Sequence, residues 1–333
     1  MLDIDDRAQL LLIDRSGLLA RAAAYRERWG QAYAAGVANG AALPRTSAQL
    51  LWLHVPHELR HIAHTVSRLL SSSACSILVW TPRLGFFQEQ GIHLHLIPQE
   101  TNAPEESVSD QGHSGSGWSI HLDVTAHPGS MFVQLLALLE EGLGLPPRLT
   151  RERLLAGDCS LLESCRPEVP SARNPAKQLA LRLSERLPTF WALPPFEEVA
   201  QEWRQRYVAY AETQAQWLPA EDMRQVDVMV RFPRYWLQAT AYVRLGQVDA
   251  PTPGWLAGLE QISGRRRTLL LNALAAADLD EAAACLHLLE LGEWVALYAA
   301  CLAGVDPAAQ VARTFLAIHE KSEERGESVG KRS

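Results

Sequence analysis

The feature that most constrains the fold is an alternation that occurs twice. Short apolar runs of strand length are each followed by a helical pattern, with short links between them. In the first half the runs are Gln49–Val55, Cys75–Trp80, Ile92–Ile97 and Ser119–Val124. Helices are expected from Leu18 to Ala35, from Pro56 to about Leu70 and from Met131 to Leu143, with a loop from Gly36 to Pro44. In the second half, strands are expected over Leu187–Leu193, Ala239–Leu245 and Thr268–Leu274. The helices there are Pro175–Glu185, Pro195–Trp217, Pro253–Ile262, Asp278–Ala303 and Pro307–Glu324. Strand-helix alternation with short links implies parallel, doubly wound sheets, so the fold class is α/β. The length of 333 residues suits two such units. Residues 1–150 form the first, 151–173 a linker region and 174–333 the second. The polar stretch 101–117 reads as a mobile surface loop, and the tail 325–333 as disordered.

Composition narrows the partners. A net charge of −7 gives no basic surface for nucleic acid. No apolar run reaches membrane-spanning length, which argues against a membrane. The acidic start Met1–Asp6 has no signal-peptide form. Five scattered cysteines show neither a CxxC pair nor zinc spacing, as expected for reduced, buried thiols in the cytoplasm. Only Lys177, Lys321 and Lys331 are lysines, so lysine chemistry has few candidates.

The run Gly292 to Pro307 carries more information than its periodicity. Trp294, Leu297, Tyr298, Cys301 and Leu302 share a helical face. Gly304 stands where a helix end favours positive φ, and Pro307 suits the first turn of the next helix. The string resembles the "gly-asp-tyr-val-ser-val-tyr-leu-ala…gly-val-asp-pro" stretch of the bifunctional phosphoglucose/phosphomannose isomerases. These are two-domain sugar-isomerase (SIS) proteins. Asn174-Pro175-Ala176-Lys177 and Ile13-Asp14-Arg15-Ser16-Gly17 resemble further elements of that family. The resemblance implies two tandem SIS domains, a homodimer, no cofactor, and a sugar phosphate or similar small anion as ligand.

It also implies where the family's chemistry would sit, and those positions are substituted. An aldose–ketose isomerase needs a phosphate clamp, a base and ring-opening groups. The clamp turns fall on His54-Val55-Pro56-His57-Glu58 and on Trp80-Thr81-Pro82-Arg83-Leu84-Gly85. The clamp arginine falls on Gly129, in His127-Pro128-Gly129-Ser130. The catalytic glutamate falls on Ala209 and the following lysine on Glu212. A second glutamate falls on Ala220, and the ring-opening histidine on Met223. No histidine lies between His127 and His287, so no shift of register restores that group. The C-terminal lysine falls near Ala317, with Lys321 about one turn later. The ligand-binding candidates are therefore His54, His57, Thr81, Arg83 and Ser130. The weak catalytic candidates are Glu212, as a carboxylate one turn along the same helix as Ala209, and Lys321.

Other constellations weigh less. His57, His61 and His64 share a helix face, which suits a metal, a ligand contact or simply a polar face. No metal site is assigned. Gly112-His113-Ser114-Gly115-Ser116 lacks the final glycine of a nucleophile elbow. Arg265-Arg266-Arg267 reads as a solvated face, and Trp191, Trp203, Trp217, Trp236 and Trp294 as core and interface aromatics. The reading favoured is a divergent SIS protein that binds a sugar phosphate without the family's catalytic residues. The alternative is a working isomerase with substituted residues.

Overall fold

The computed structural model describes residues 3–43, 50–56, 59–70, 76–80, 92–98, 117–122, 127–156, 160–224, 239–250, 253–256, 258, 261 and 269–308. Three helices come first: α1 (Arg7–Ile13), α2 (Leu18–Ala23) and α3 (Tyr25–Ala41). The first sheet follows, with β1 (Leu50–His54), α4 (Arg60–Leu70), β2 (Ser76–Trp80), β3 (Ile92–Pro98), β4 (Gly117–Leu122) and α5 (Pro128–Leu143). Two short helices, α6 (Arg151–Ala156) and α7 (Ser160–Glu163), lie in the expected linker region. The second sheet has α8 (Pro175–Leu183), β5 (Leu187–Ala192), α9 (Glu197–Ala211), β6 (Gln216–Trp217), α10 (Ala220–Arg224), β7 (Thr240–Gln247), β8 (Leu269–Ala275) and α11 (Glu281–Ala303).

Both sheets are parallel and have the same order: β2-β1-β3-β4 and β6-β5-β7-β8. The chain therefore repeats one topology, and α5 and α11 hold equivalent places after the fourth strand of each sheet. They also end alike. Gly144 and Gly304 both take positive φ, at 64° and 73°. After each, the next amide reaches back five residues, Leu145 N to Glu140 O at 2.7 Å and Val305 N to Ala300 O at 3.0 Å. Asp280 caps the start of α11 by accepting from Ala283 N at 2.9 Å, and Asn174 does the same for α8 from Lys177 N.

The centre of the molecule is α11. Every residue from Ala282 to Cys301 is buried. Such a helix, hydrophobic nearly all round, must be enclosed on all sides. It packs against α8 and α9, against β7 and β8, and also against α2, α4 and α5 of the first half. By length and composition it could cross a membrane, yet its apolar surface is buried inside the chain. The homodimer that the resemblance implies gains no support from that surface, which one chain already covers.

The structure corrects three details. The loop expected over Gly36–Pro44 is helix as far as Ala41. Its glycines mark close approach rather than a break, since a Cβ at Gly36 would overlap Gln134 O and one at Gly40 would overlap Leu138 O, both on α5. The helix expected over Leu18–Ala35 is divided at Ala24, whose amide closes a tighter turn onto Arg21 O. The helix expected to run to Trp217 stops at Ala211, because Glu212 turns left-handed at φ 49° and leads into β6. Gly292 lies in the middle of α11, against the indole of Trp203, whose Nε1 donates to Leu288 O at 2.8 Å. The loop at 101–116, the final helix beyond 308 and the tail lie outside the described residues.

Two tests follow from these contacts. Gly40→Val should lower stability by roughly 2 kcal/mol or more, because the α3–α5 contact would have to separate. Urea unfolding monitored by tryptophan fluorescence measures it. Conversely, Glu212→Gly should raise stability in the same measurement by about 0.5–1 kcal/mol, by relieving a left-handed residue at a helix end.

Candidate functional site

A helix segment that is buried all round should carry no charge, and the buried part of α11 carries two carboxylates. Glu290 and Glu293 are both 0% exposed. Three residues apart, they are neighbours on the helix surface. A buried carboxylate is tolerated only when matched by charge and hydrogen bonds. Three of their partners, His127, Trp29 and Arg28, come from the first half of the chain. Glu293 Oε1 lies 2.6 Å from His127 Nδ1 and accepts from Tyr210 Oη at 2.9 Å. Glu290 Oε1 accepts from Trp29 Nε1 at 3.0 Å, and its Oε2 lies 3.5 Å from Arg28 Nη2. Arg28 Nη1 also reaches Ser130 Oγ at 3.5 Å. A third pair extends the seam along α9, where Arg206 Nε donates to Glu202 Oε1 at 2.7 Å and Nη1 donates to Tyr210 Oη at 3.3 Å.

The electrostatics are those of a matched buried cluster. Burial alone would push the Glu293 carboxyl up. The charge and hydrogen bond of His127, the charge of Arg206 and the Tyr210 hydroxyl outweigh it and hold the group at about 2. Burial and the adjacent Glu293 charge push the Tyr210 phenol up. In Arg206, the charges of Tyr210, Glu202 and Glu293 outweigh burial and hold the guanidinium protonated.

Against this frame the sequence candidates separate. His54 ends β1, beside Trp80 of β2 and His95 of β3, at the carboxyl edge where doubly wound sheets bind ligands. Ser130 is in the first turn of α5 and 5% exposed, within reach of Arg28. His57, Thr81, Arg83 and Lys321 lie outside the described residues. Glu212 is exposed and is not one turn along α9 as expected; it closes that helix. Ala209 packs at the edge of the main core. Met223 is 1% exposed in an apolar cluster with Trp191, Tyr242 and Leu256. Gly129 lies under Glu290, whose Oε1 a Cβ there would overlap. His61 meets Glu198 Oε2 at 3.2 Å, and Arg68 meets Glu197 at 2.7 Å, so this face of α4 is turned to α9.

The sequence reading passed over Glu290, Glu293, Arg28 and His127 as functional residues. The first two had a visible signal, as isolated carboxylates inside an otherwise apolar helix. Their partners had none, because those lie 166 and 261 positions away in sequence.

Two parallel sheets of equal topology packed on α11 make a tandem α/β protein. Residues 172–312 match the family model described as bacterial phospho-glucose isomerase C-terminal SIS domain. The match falls on the unit that carries the Asn174–Lys177 and Gly292–Pro307 elements. A glucose-6-phosphate isomerase like protein from Thermus thermophilus is 24% identical over 92% of this chain and 98% of its own, with a TM-score of 0.57. Tagatose-6-phosphate ketose/aldose isomerase from Escherichia coli is 10% identical over 86% and 93%, with a TM-score of 0.61. The C-terminal domain of glucosamine-fructose-6-phosphate aminotransferase from Francisella tularensis is 10% identical over 87% and 97%, with a TM-score of 0.61. At these identities the structures establish the shared fold. No curated protein matches the chain.

The Glu293 seam has a defined pH dependence. A carboxyl held at about 2 in the folded chain, against an ordinary value near 4.5, stabilises the fold above the unfolded value. That contribution is lost as pH falls from about 4.5 towards 2. Glu293→Gln should therefore be less stable than wild type by roughly 3 kcal/mol at about pH 7, because His127 Nδ1 and Tyr210 Oη lose their carboxylate partner. The gap should narrow at about pH 3 to 4 in urea unfolding.

Proposed function

We propose that the protein is a divergent SIS protein that binds a sugar phosphate or a related small anion and lacks the isomerase chemistry of the phosphoglucose/phosphomannose isomerases. The observation that carries this reading is the environment of the substituted positions. Isomerisation moves a proton between adjacent carbons and needs a base within hydrogen-bond reach. Ala209 offers no titratable group. The position of the ring-opening histidine is Met223, sealed among Trp191, Tyr242 and Leu256, where a polar side chain would be desolvated without a partner. The position of the clamp arginine is Gly129, where Glu290 takes the space a side chain would need.

Binding is supported by the fold and by what stands at the ligand edge. Residues 172–312 match a domain of phosphosugar isomerase type. The structural relatives named above include proteins whose names specify sugar phosphates. His54 stands at the carboxyl edge of the first sheet. The other candidates, His57, Thr81 and Arg83, follow β1 and β2 in sequence. Loss of a general base typically costs roughly 10²–10⁴ in rate, so substitution at several positions leaves little turnover. A homodimer in the cytoplasm completes the reading; light scattering at micromolar concentration tests the dimer, and a monomer would refute it.

The experiment is paired. Isomerisation of glucose 6-phosphate and mannose 6-phosphate should stay at background in a coupled assay, while sugar phosphates raise the melting temperature. If the purified protein turns over either substrate and Glu212→Gln abolishes that without unfolding it, the binding-only reading is wrong and Glu212 is the base.

A further inference from the structure

Helix α1 is firmly seated, yet it turns two leucines outward. Asp6 caps its start, accepting from Ala8 N at 2.9 Å and Gln9 N at 3.3 Å. Leu10 is fully buried in the main core. Just before the cap, Asp5 accepts from Ser171 N at 2.7 Å and from Lys177 Nζ at 3.1 Å, which ties the segment to α8. Leu11 and Leu12 are nonetheless 51% and 72% exposed. Scattered single leucines on a surface are ordinary. Among the described residues, the other large exposed aliphatics, Leu78, Leu181 and Val248, each stand alone in sequence, whereas these two are adjacent.

The chain that leaves α11 arrives at this corner. Ser16 Oγ, four residues beyond Leu12, stands between Asp14 Oδ1 at 3.1 Å and Asp306 Oδ1 at 3.0 Å. Gly304 has ended α11 by then, and Asp306 Oδ1 accepts from Ala308 N at 3.2 Å, so a new turn opens at Pro307. The residues beyond Ala308 lie outside the described ones, and their sequence carries the helical pattern expected over Pro307–Glu324. Val311, Phe315 and Ile318, with Ala308 and Ala312, fall on one face of that pattern, and Gln310, Arg313, Glu320 and Lys321 on the other. At about 1.5 Å of rise per residue, Ile318 stands about 18 Å along from Asp306 while α1 is about 10 Å long, so the apolar face has the reach to cover both leucines.

We propose that the outward face of α1 is the docking surface for the chain's own C-terminal segment, residues 309–324, with Val311, Phe315 and Ile318 against Leu11 and Leu12. An amphipathic helix owes most of its stability to packing its apolar face, so the segment and the leucines supply what each lacks. The docking adds a second tie between the start of the chain and its second unit, beside that of Asp5 with Ser171 and Lys177. It is independent of any ligand at the edge of the first sheet.

Hydrogen exchange read by mass spectrometry on the full chain tests it. Amides in 309–324 should exchange at least about tenfold more slowly than those of an unstructured chain. Leu11→Ser combined with Leu12→Ser should remove that protection and leave α11 protected, since both side chains are already exposed. Phe315→Ser combined with Ile318→Ser should in turn speed exchange within α1. Both effects should persist on dilution, with the same mass by light scattering in wild type and variants. Fast exchange of 309–324 in wild type, or protection that survives loss of both leucines, would overturn the proposal. So would protection that fades on dilution together with the mass, which would put a second copy of the chain on the leucines. If the α1 double variant loses protection in α11 as well, the Phe315 and Ile318 variant decides alone, and unchanged exchange in α1 then overturns the proposal.

Discussion

Two carboxylates inside a buried helix set the terms for the rest of the chain. An ionised group at the centre of a protein is tolerated only if the surroundings return what water would have given. Glu293 obtains this from His127 and Tyr210, and Glu290 from Trp29 and Arg28. The partners belong to different elements: α3, the start of α5, and α9. The helix can therefore keep its charges only when both halves are folded against it. The two sheets repeat one topology and could have been independent units. The charged seam makes them parts of one structure.

That seam includes the start of α5, the helix that follows the last strand of the first sheet. His127 and Ser130 begin α5, directly after the last strand of the first sheet, and His54 ends β1. On the proposed reading, positions that an isomerase would commit to substrate are here committed to the protein. Gly129 gives its space to Glu290, and Met223 gives its position to an apolar cluster. A change of this kind preserves fold and stability while altering chemistry, which is why ancestry is a weak guide to activity.

The sequence made the layout legible because parallel α/β units advertise themselves. Buried strands are short apolar runs, and their helices are periodic. The end of α11 was readable from Gly304, and α8 begins at Pro175 as expected, since helix ends are local chemistry. The loop misreading has a long-range cause. Gly36 and Gly40 punctuate a loop in sequence terms, yet in the structure they let α3 approach α5. Close approach depends on a partner far along the chain, and no local signal carries it. The ion pairs of Glu290 and Glu293 escaped for the same reason. Glu212 illustrates the converse, since a glutamate is a poor sign of a left-handed helix end.

The central claim is ligand binding without isomerisation, and one titration addresses both parts. Phosphorus NMR of fructose 6-phosphate with stoichiometric protein reports binding through line width and shift, and conversion through new signals. Binding without turnover predicts saturable broadening of the fructose 6-phosphate signal and no glucose or mannose 6-phosphate signals over hours. Aldose phosphate signals that grow with protein concentration would contradict the loss of catalysis, and an unperturbed spectrum at saturating protein would contradict the binding.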